Sequence, residues 1–412
     1  MYRRGRYIVT ALAALVVLLG GQSRQEPVAE SRPATEHKTA AIPFELSSNK
    51  PFVQVRVNDS DPLWFIFDTG AGGCCVARKR ADLMGLELEG EKQVHTGAGE
   101  GALVSIATTK GVTFSVGGVK AVNQAPTVVS LDHVAAYEGR AVDGLLGHSF
   151  IRRFAVEIDY ANRTIHLHDP NTYAYSGPGR AIPIKFLGHL VVVRASITVP
   201  GRDPIAGDFV VDTGSRLALV LNRPFVEENK LVEAMPKTLA ATIGGGAGGE
   251  CKGYAGRLES MQLGPFLIRQ PVVTLSQDRT GVLASPSFAG IIGGPILRRC
   301  RVFFDYQHAQ LILEPYARVP APYEYDMSGT FLIAESPDFK RLKVQSVAED
   351  SPAAEAGLHR GDVITAIDGR PAAEFTLEQV RQLFKKPGRE CRLDVHRGDE
   401  HFRTKLRLRR LI

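Results

Sequence analysis

Leu63-Trp64-Phe65-Ile66-Phe67-Asp68-Thr69-Gly70 runs five apolar residues straight into an acid. A continuous apolar run marks a strand buried on both faces. A carboxylate at its end loses hydration unless hydrogen bonds or a second titratable group compensate. The glycine permits a tight turn, and the threonine hydroxyl can tie that turn to backbone. The pattern returns: Phe67-Asp68-Thr69-Gly70-Ala71 recurs as Val211-Asp212-Thr213-Gly214-Ser215, 144 residues later.

Other elements repeat in the same order. Gly144-Leu145-Leu146-Gly147 recurs as Gly290-Ile291-Ile292-Gly293, and Val156-Glu157-Ile158-Asp159-Tyr160 as Val302-Phe303-Phe304-Asp305-Tyr306, both at an offset of 146. Pro126 pairs with Pro271 and Leu131 with Leu275. A fixed order at nearly constant offset is the mark of internal duplication. It divides residues 46–170 and 171–315 into two homologous lobes. Both read as β-rich: Phe52 to Val57 and Thr164 to Leu167 alternate apolar and polar residues, the period of a half-buried strand. If the lobes pack face to face, Asp68 and Asp212 meet at the two-fold axis. Like carboxylates at close range cannot both ionise, so one keeps its proton. A charged base beside a neutral acid can activate water against a carbonyl.

Residues 46–315 therefore resemble aspartic proteases of the pepsin/retropepsin clan. That clan has Asp-Thr/Ser-Gly-Ala/Ser in each lobe and a paired apolar-apolar-Gly signature downstream, both present twice here. The resemblance implies that Asp68 and Asp212 are catalytic, one as general base and one as polarising acid, with no cofactor. It implies that Thr69, Gly70, Thr213, Gly214 and Ser215 support the active-site loops, the threonines bracing one loop against the other. The glycine clusters Gly97, Gly99 and Gly101 in lobe one, and Gly245, Gly246 and Gly248 in lobe two, would form two flaps, as in retroviral-type dimers. Ala71 stands where lobe two has Ser215, which can donate to its carboxylate. One fewer donor raises the pair's pKa, so an optimum less acidic than that of pepsin-like enzymes is expected.

A second resemblance lies beyond residues 316–328, a Pro- and Tyr-bearing stretch read as a linker. Ser351-Pro352-Ala353-Ala354-Glu355-Ala356-Gly357-Leu358, followed by Arg360-Gly361-Asp362-Val363-Ile364, resembles a PDZ domain, here 329–412. Leu342 to Val347 reads as a strand, and Thr376 to Phe384 as a helix with Leu377, Val380, Leu383 and Phe384 on one face. The resemblance implies a groove between a strand and that helix which takes an extended peptide or a free C-terminus by β-augmentation. Gly329 to Leu332 is a poor match to the carboxylate-binding loop.

The first 23 residues have a basic start and an apolar run from Ile8 to Leu19. A membrane span needs about 20 apolar residues, and a short run after a basic start reads as a signal peptide or, if uncleaved, an anchor. Residues 24–45 read as a linker. The expectation is an exported, periplasmic or extracytoplasmic protein that meets a membrane only through an uncleaved N-terminal segment. Of the net charge of +6 in 412 residues, Arg3, Arg4 and Arg6 supply three and residues 329–412 three more, while 24–328 balances at 31 basic and 31 acidic. That is no clustered basic face for nucleic acid.

Five cysteines, at 74, 75, 251, 300 and 391, fit no zinc spacing and read as mostly free, half-buried thiols. His166 and His168 share a strand face without a third ligand in view. Gly97-Ala98-Gly99-Glu100-Gly101 lacks the Gly-Lys-Ser/Thr of a phosphate loop. There is neither Gly-Asn-Ser-Gly-Gly nor His-Glu-x-x-His. The fold class expected is mainly β, two pseudo-symmetric acid-protease lobes plus an α+β PDZ-like domain. The activity expected is aspartic-type endopeptidase, acting on protein or peptide substrates; the alternative is an inactive peptide-binding scaffold, and self-processing of the N-terminal linker is a third.

Overall fold

The computed structural model describes residues 40–94, 97–99, 103–246, 248–317 and 321–412; the signal-peptide reading and most of the first linker lie outside them. The protein is mainly β, as its alternating and continuous apolar runs require. In lobe one the Leu63–Phe67 strand lies antiparallel to Lys50–Val57 and parallel to Gly144–Leu146, with Phe67 opposite Leu146. In lobe two the Ile205–Val211 strand lies antiparallel to Leu190–Thr198 and parallel to Gly290–Ile292, with Val211 opposite Ile292. The repeated sequence thus has a repeated topology.

The lobes join through one sheet. Ala155–Asp159 pairs antiparallel with Cys300–Asp305, and Glu157 faces Phe303. Those two residues are 146 apart, the repeat offset, so the pseudo-two-fold axis runs between them. Burial follows the same logic: Phe65, Phe67, Phe209, Val211, Leu146 and Ile292 belong to one core shared by both lobes.

Two expected boundaries move. Residues 40–43, assigned to the linker, form a strand on Thr164–His168, with Ala40 opposite Leu167 and Ile42 opposite Ile165. Ala40 and Ile42 are buried. Lobe two repeats this arrangement where Arg180–Leu187 pairs with Gln310–Pro315. The expected 316–328 linker is not a free spacer. Tyr323 is buried under the Arg299 guanidinium, 3.5 Å from its ring centroid, and Met327 already belongs to the C-terminal core.

That C-terminal core sits in a sheet ordered Thr330–Glu335, Arg341–Val347, Val363–Ile367, Glu390–Arg397, Glu400–Arg407. Thr330–Glu335 is therefore an edge strand. Ser351 caps the Pro352–Glu355 helix by accepting from Ala354 N–H, and Thr376 with Gln379 closes a capping box on Leu377–Leu383, reciprocal bonds that set where each helix starts. The Glu400–Arg407 strand turns Leu406 inward and its basic residues out. No disulfide joins the cysteines; Cys74 and Cys75 enter different clusters from adjacent positions. His168 bonds Glu157 (3.2 Å). Among the described residues no helix is long and apolar enough to cross a membrane.

Candidate active site

Asp68 and Asp212 end their apolar strands at the lobe interface, both half-buried. Each strand is pinned just there: Asp68 N–H donates to Leu146 O (3.0 Å) and Asp212 N–H to Ile292 O (2.9 Å). The turn then folds back on its acid. Gly70 N–H donates to Asp68 Oδ1 (2.9 Å), and Gly214 N–H to Asp212 Oδ1 (2.7 Å). Each glycine also faces the other lobe's acid. A Cβ at Gly70 would strike the Asp212 carboxyl, and one at Gly214 the Asp68 carboxyl. Glycine is required here by close approach; neither residue has a left-handed φ.

The threonines interlock. Thr69 Oγ1 donates to Val211 O (2.8 Å) and accepts from Thr213 N–H (3.0 Å). Thr213 Oγ1 donates to Phe67 O (2.6 Å) and accepts from Thr69 N–H (3.0 Å). Both are buried, so these four bonds form away from competing water. They set the separation of the loops and thereby of the carboxyls.

The two acids touch, and burial raises both pKa values. Asp212 goes well above the ordinary carboxylate range because the negative charge of Asp68 adds to its desolvation. Asp68 is raised less. The Lys50 ammonium, a hydrogen bond from Asp212 and backbone N–H groups of Gly70 and Ala71 all favour its ionised form. The pair titrates as a unit, and its two carboxyls cannot both ionise readily at this range. The expected serine effect takes another form. Ser215 Oγ rests against Gly293, and the added donor is the backbone N–H of Ala71 on Asp68.

The glycine-rich segments are the tips of two hairpins, one in each lobe. In lobe two, Thr238–Gly246 and Gly249–Arg257 form a hairpin whose tip holds Gly245, Gly246 and Gly248. In lobe one, Glu89–Val94 pairs with Val104–Thr108, and Gly97 and Gly99 lie in the connecting tip; Gly101 lies outside the described residues. The tips meet: Gly248 N–H donates to Ala98 O (3.0 Å), and Val282 N–H donates to Gly97 O (3.1 Å).

Sequence reasoning missed the charges around the pair. Lys50, at the start of its strand, is buried with its Nζ 2.8 Å from Glu138 Oε1. Glu138 ends the Asp132–Glu138 helix. Burial works against its charge, but Lys50 and Arg381 outweigh it and hold its pKa below the ordinary glutamate value. Asn49 Nδ2 donates to Arg216 O (3.0 Å), next to Ser215. The pairing left no clue in the sequence, since Lys50 opens a strand that also carries Gln54 and Arg56 and its partner lies 88 residues away.

Residues 53–150 and 195–296 match the family model described as aspartyl protease, and residues 343–397 match that of the PDZ domain. The chain therefore carries a retropepsin-like aspartyl protease body with a C-terminal PDZ domain. It is also 33% identical over 69 residues to a probable CtpA-like serine protease of Staphylococcus haemolyticus. That stretch is 16% of this chain and 14% of the relative, so the chain spans about one seventh of the relative's length.

Proposed function

We propose that the protein is an aspartic endopeptidase in which Asp68 and Asp212 activate one water against a peptide carbonyl, with the PDZ domain recruiting substrate or regulating access. The observation that carries this reading is the asymmetric pair of touching carboxyls held by reciprocal threonine bonds.

The chemistry follows from the asymmetry. Ionised Asp68 takes a proton from a water lying between the carboxyls. Neutral Asp212 donates a hydrogen bond to the scissile carbonyl as oxygen charge develops. Collapse of the tetrahedral intermediate returns a proton to the leaving amine and restores the pair. Backbone N–H groups of Gly70 and Gly214 hold the carboxyls without moving during the reaction, which is where preorganised polar groups help most. An extended substrate segment would lie beneath the two glycine-rich tips.

Cleavage of a denatured test protein by the wild type, and its loss in Asp68→Asn and in Asp212→Asn, is the test. Cleavage that survives either change rejects the assignment. We also propose export, with residues 1–23 as the targeting segment. Periplasmic fractionation, with the mature N-terminus read by mass spectrometry, checks it.

A further inference from the structure

The PDZ groove is already filled. Its walls are the Thr330–Glu335 edge strand and the Leu377–Leu383 helix. The C-terminal end of the Asp132–Glu138 helix, from lobe one, lies between them. The Tyr137 ring packs on Phe331 of the strand, centroids 5.7 Å apart. Gly139 abuts Leu377 of the helix so closely that a Cβ there would strike it. Arg381 spans the groove. Its Nη2 donates to Tyr137 O (2.6 Å) and Leu332 O (3.3 Å), and its Nη1 to Ser48 Oγ (3.1 Å).

The same helix and the same domain also grip the second flap. His133 Nε2 donates to Gly246 O (2.8 Å), and the Tyr137 ring lies against Gly245. On the flap's other arm, Glu250 accepts from Arg360 Nη2 (3.0 Å) and from Gln345 of the PDZ domain.

We propose that the PDZ groove is an internal latch, in which the end of the Asp132–Glu138 helix is the bound ligand, the second flap is held down, and an extended peptide with a free C-terminal carboxylate releases both by displacing the helix. What the flap covers rests on the protease reading; the latch itself does not. The chemistry favours exchange of ligands. Among the described residues Arg381 hydrogen-bonds two carbonyls and a hydroxyl but no carboxylate directly; burial, then Arg216, lowers its pKa to about 9 against the opposing charges of Glu138, Glu378 and Asp326. A carboxylate would supply the charge-assisted, bidentate partner that a guanidinium prefers. There is room for it: a cavity of about 450 Å³ opens beside the groove, lined in part by Arg216, Tyr325, Phe331, Leu332, Arg381 and Lys385.

The test is amide hydrogen exchange on the full chain carrying Asp212→Asn, which prevents self-cleavage. The probe is a pool of decapeptides randomised at their last four positions, with free or amidated C-termini. The free-acid pool should speed exchange across 132–140 and 249–257, and the amidated pool should not. Arg360→Ala, at a side chain 65% exposed, should alone speed exchange of 249–257 by about fivefold, the scale of a lost part-exposed ion pair. In the otherwise wild-type chain it should raise kcat/KM by a similar factor. Arg381→Gln should act on both segments. Unchanged exchange with the free-acid pool, or a fall in kcat/KM in Arg360→Ala, overturns the latch. Faster exchange in the Asp212→Asn chain with the free-acid pool, when the wild-type chain cleaves no test protein, upholds the latch and overturns the protease reading instead.

Discussion

The two lobes agree where they face each other and differ where they face the third domain. At the axis, Asp68 and Asp212, Thr69 and Thr213, and Leu146 and Ile292 stand in matched registers and matched bonds. Away from it, lobe one carries the Asp132–Glu138 helix and the buried Lys50–Glu138 pair. Lobe two carries a flap with nine residues in each arm, against six and five in lobe one. The helix, the ion pair and the longer flap all lie against the PDZ domain or one residue away from it. A duplicated body needs symmetry only for its acids; docking a single extra domain on one side makes the rest unequal.

The largest effect should test the symmetric part. Asp68→Asn and Asp212→Asn should each lower kcat by about 10²–10⁴ or more, the range for losing a positioned acid or base. Unequal losses would break the symmetry at the point where it matters most. Lys50→Met tests the unequal part. It leaves Glu138 buried without its partner, which costs about 3–5 kcal/mol, measurable by chemical denaturation. It also withdraws a positive charge that favours the ionised form of both acids, so both limbs of the pH–kcat/KM profile should move to higher pH. Thr69→Ala and Thr213→Ala each remove one donated and one accepted buried bond. Each should cost about 1–3 kcal/mol, and the double variant should cost less than the sum, because both act on one interlock.

The pH dependence has a definite sign. The proposed mechanism needs one carboxyl of the pair ionised and the other protonated, so the rate should rise as the pair loses its first proton and fall as it loses its second. Both pKa values lie above the ordinary carboxylate, which places the active window above that of free aspartate, near pH 4. A profile peaking at strongly acid pH rejects this. The same shift has a stability consequence. Below the unfolded pKa, Asp212 is neutral in both states; above its raised folded value, its charge is an unfavourable presence in the fold. Thermal unfolding of Asp212→Asn should therefore exceed the wild type by more at pH 8 than at pH 4. The smallest effect should come from Ser215→Ala, which removes no bond to Asp212 and should change kcat/KM by less than about twofold, since the hydroxyl rests against Gly293.

What could be read before the structure was local or repeated. The strand-to-acid run, the two offsets and the Ser351–Ile364 pattern all lie in contiguous residues, and their periods report burial directly. What could not be read was long-range and charged. Lys50 and Arg381 carried no signal, because an isolated sequence shows only the cost of burying a cation, not the partner that offsets it. The strand at 40–43 was hidden by its shortness, and Tyr323 and Met327 by the prolines around them.

By itself the sequence determined the duplication, from motifs recurring at a constant offset, and the mainly β body and Asp-Thr-Gly loops, from hydrophobic periodicity and turn chemistry in neighbouring residues; the PDZ domain was legible through the resemblance carried by Ser351–Ile364. Only the tertiary structure decided that the acids touch, that burial raises both their pKa values, and that the PDZ groove is occupied by a helix of lobe one. Those outcomes depend on distances between groups 88 to 244 residues apart, and on how completely water is removed from between them.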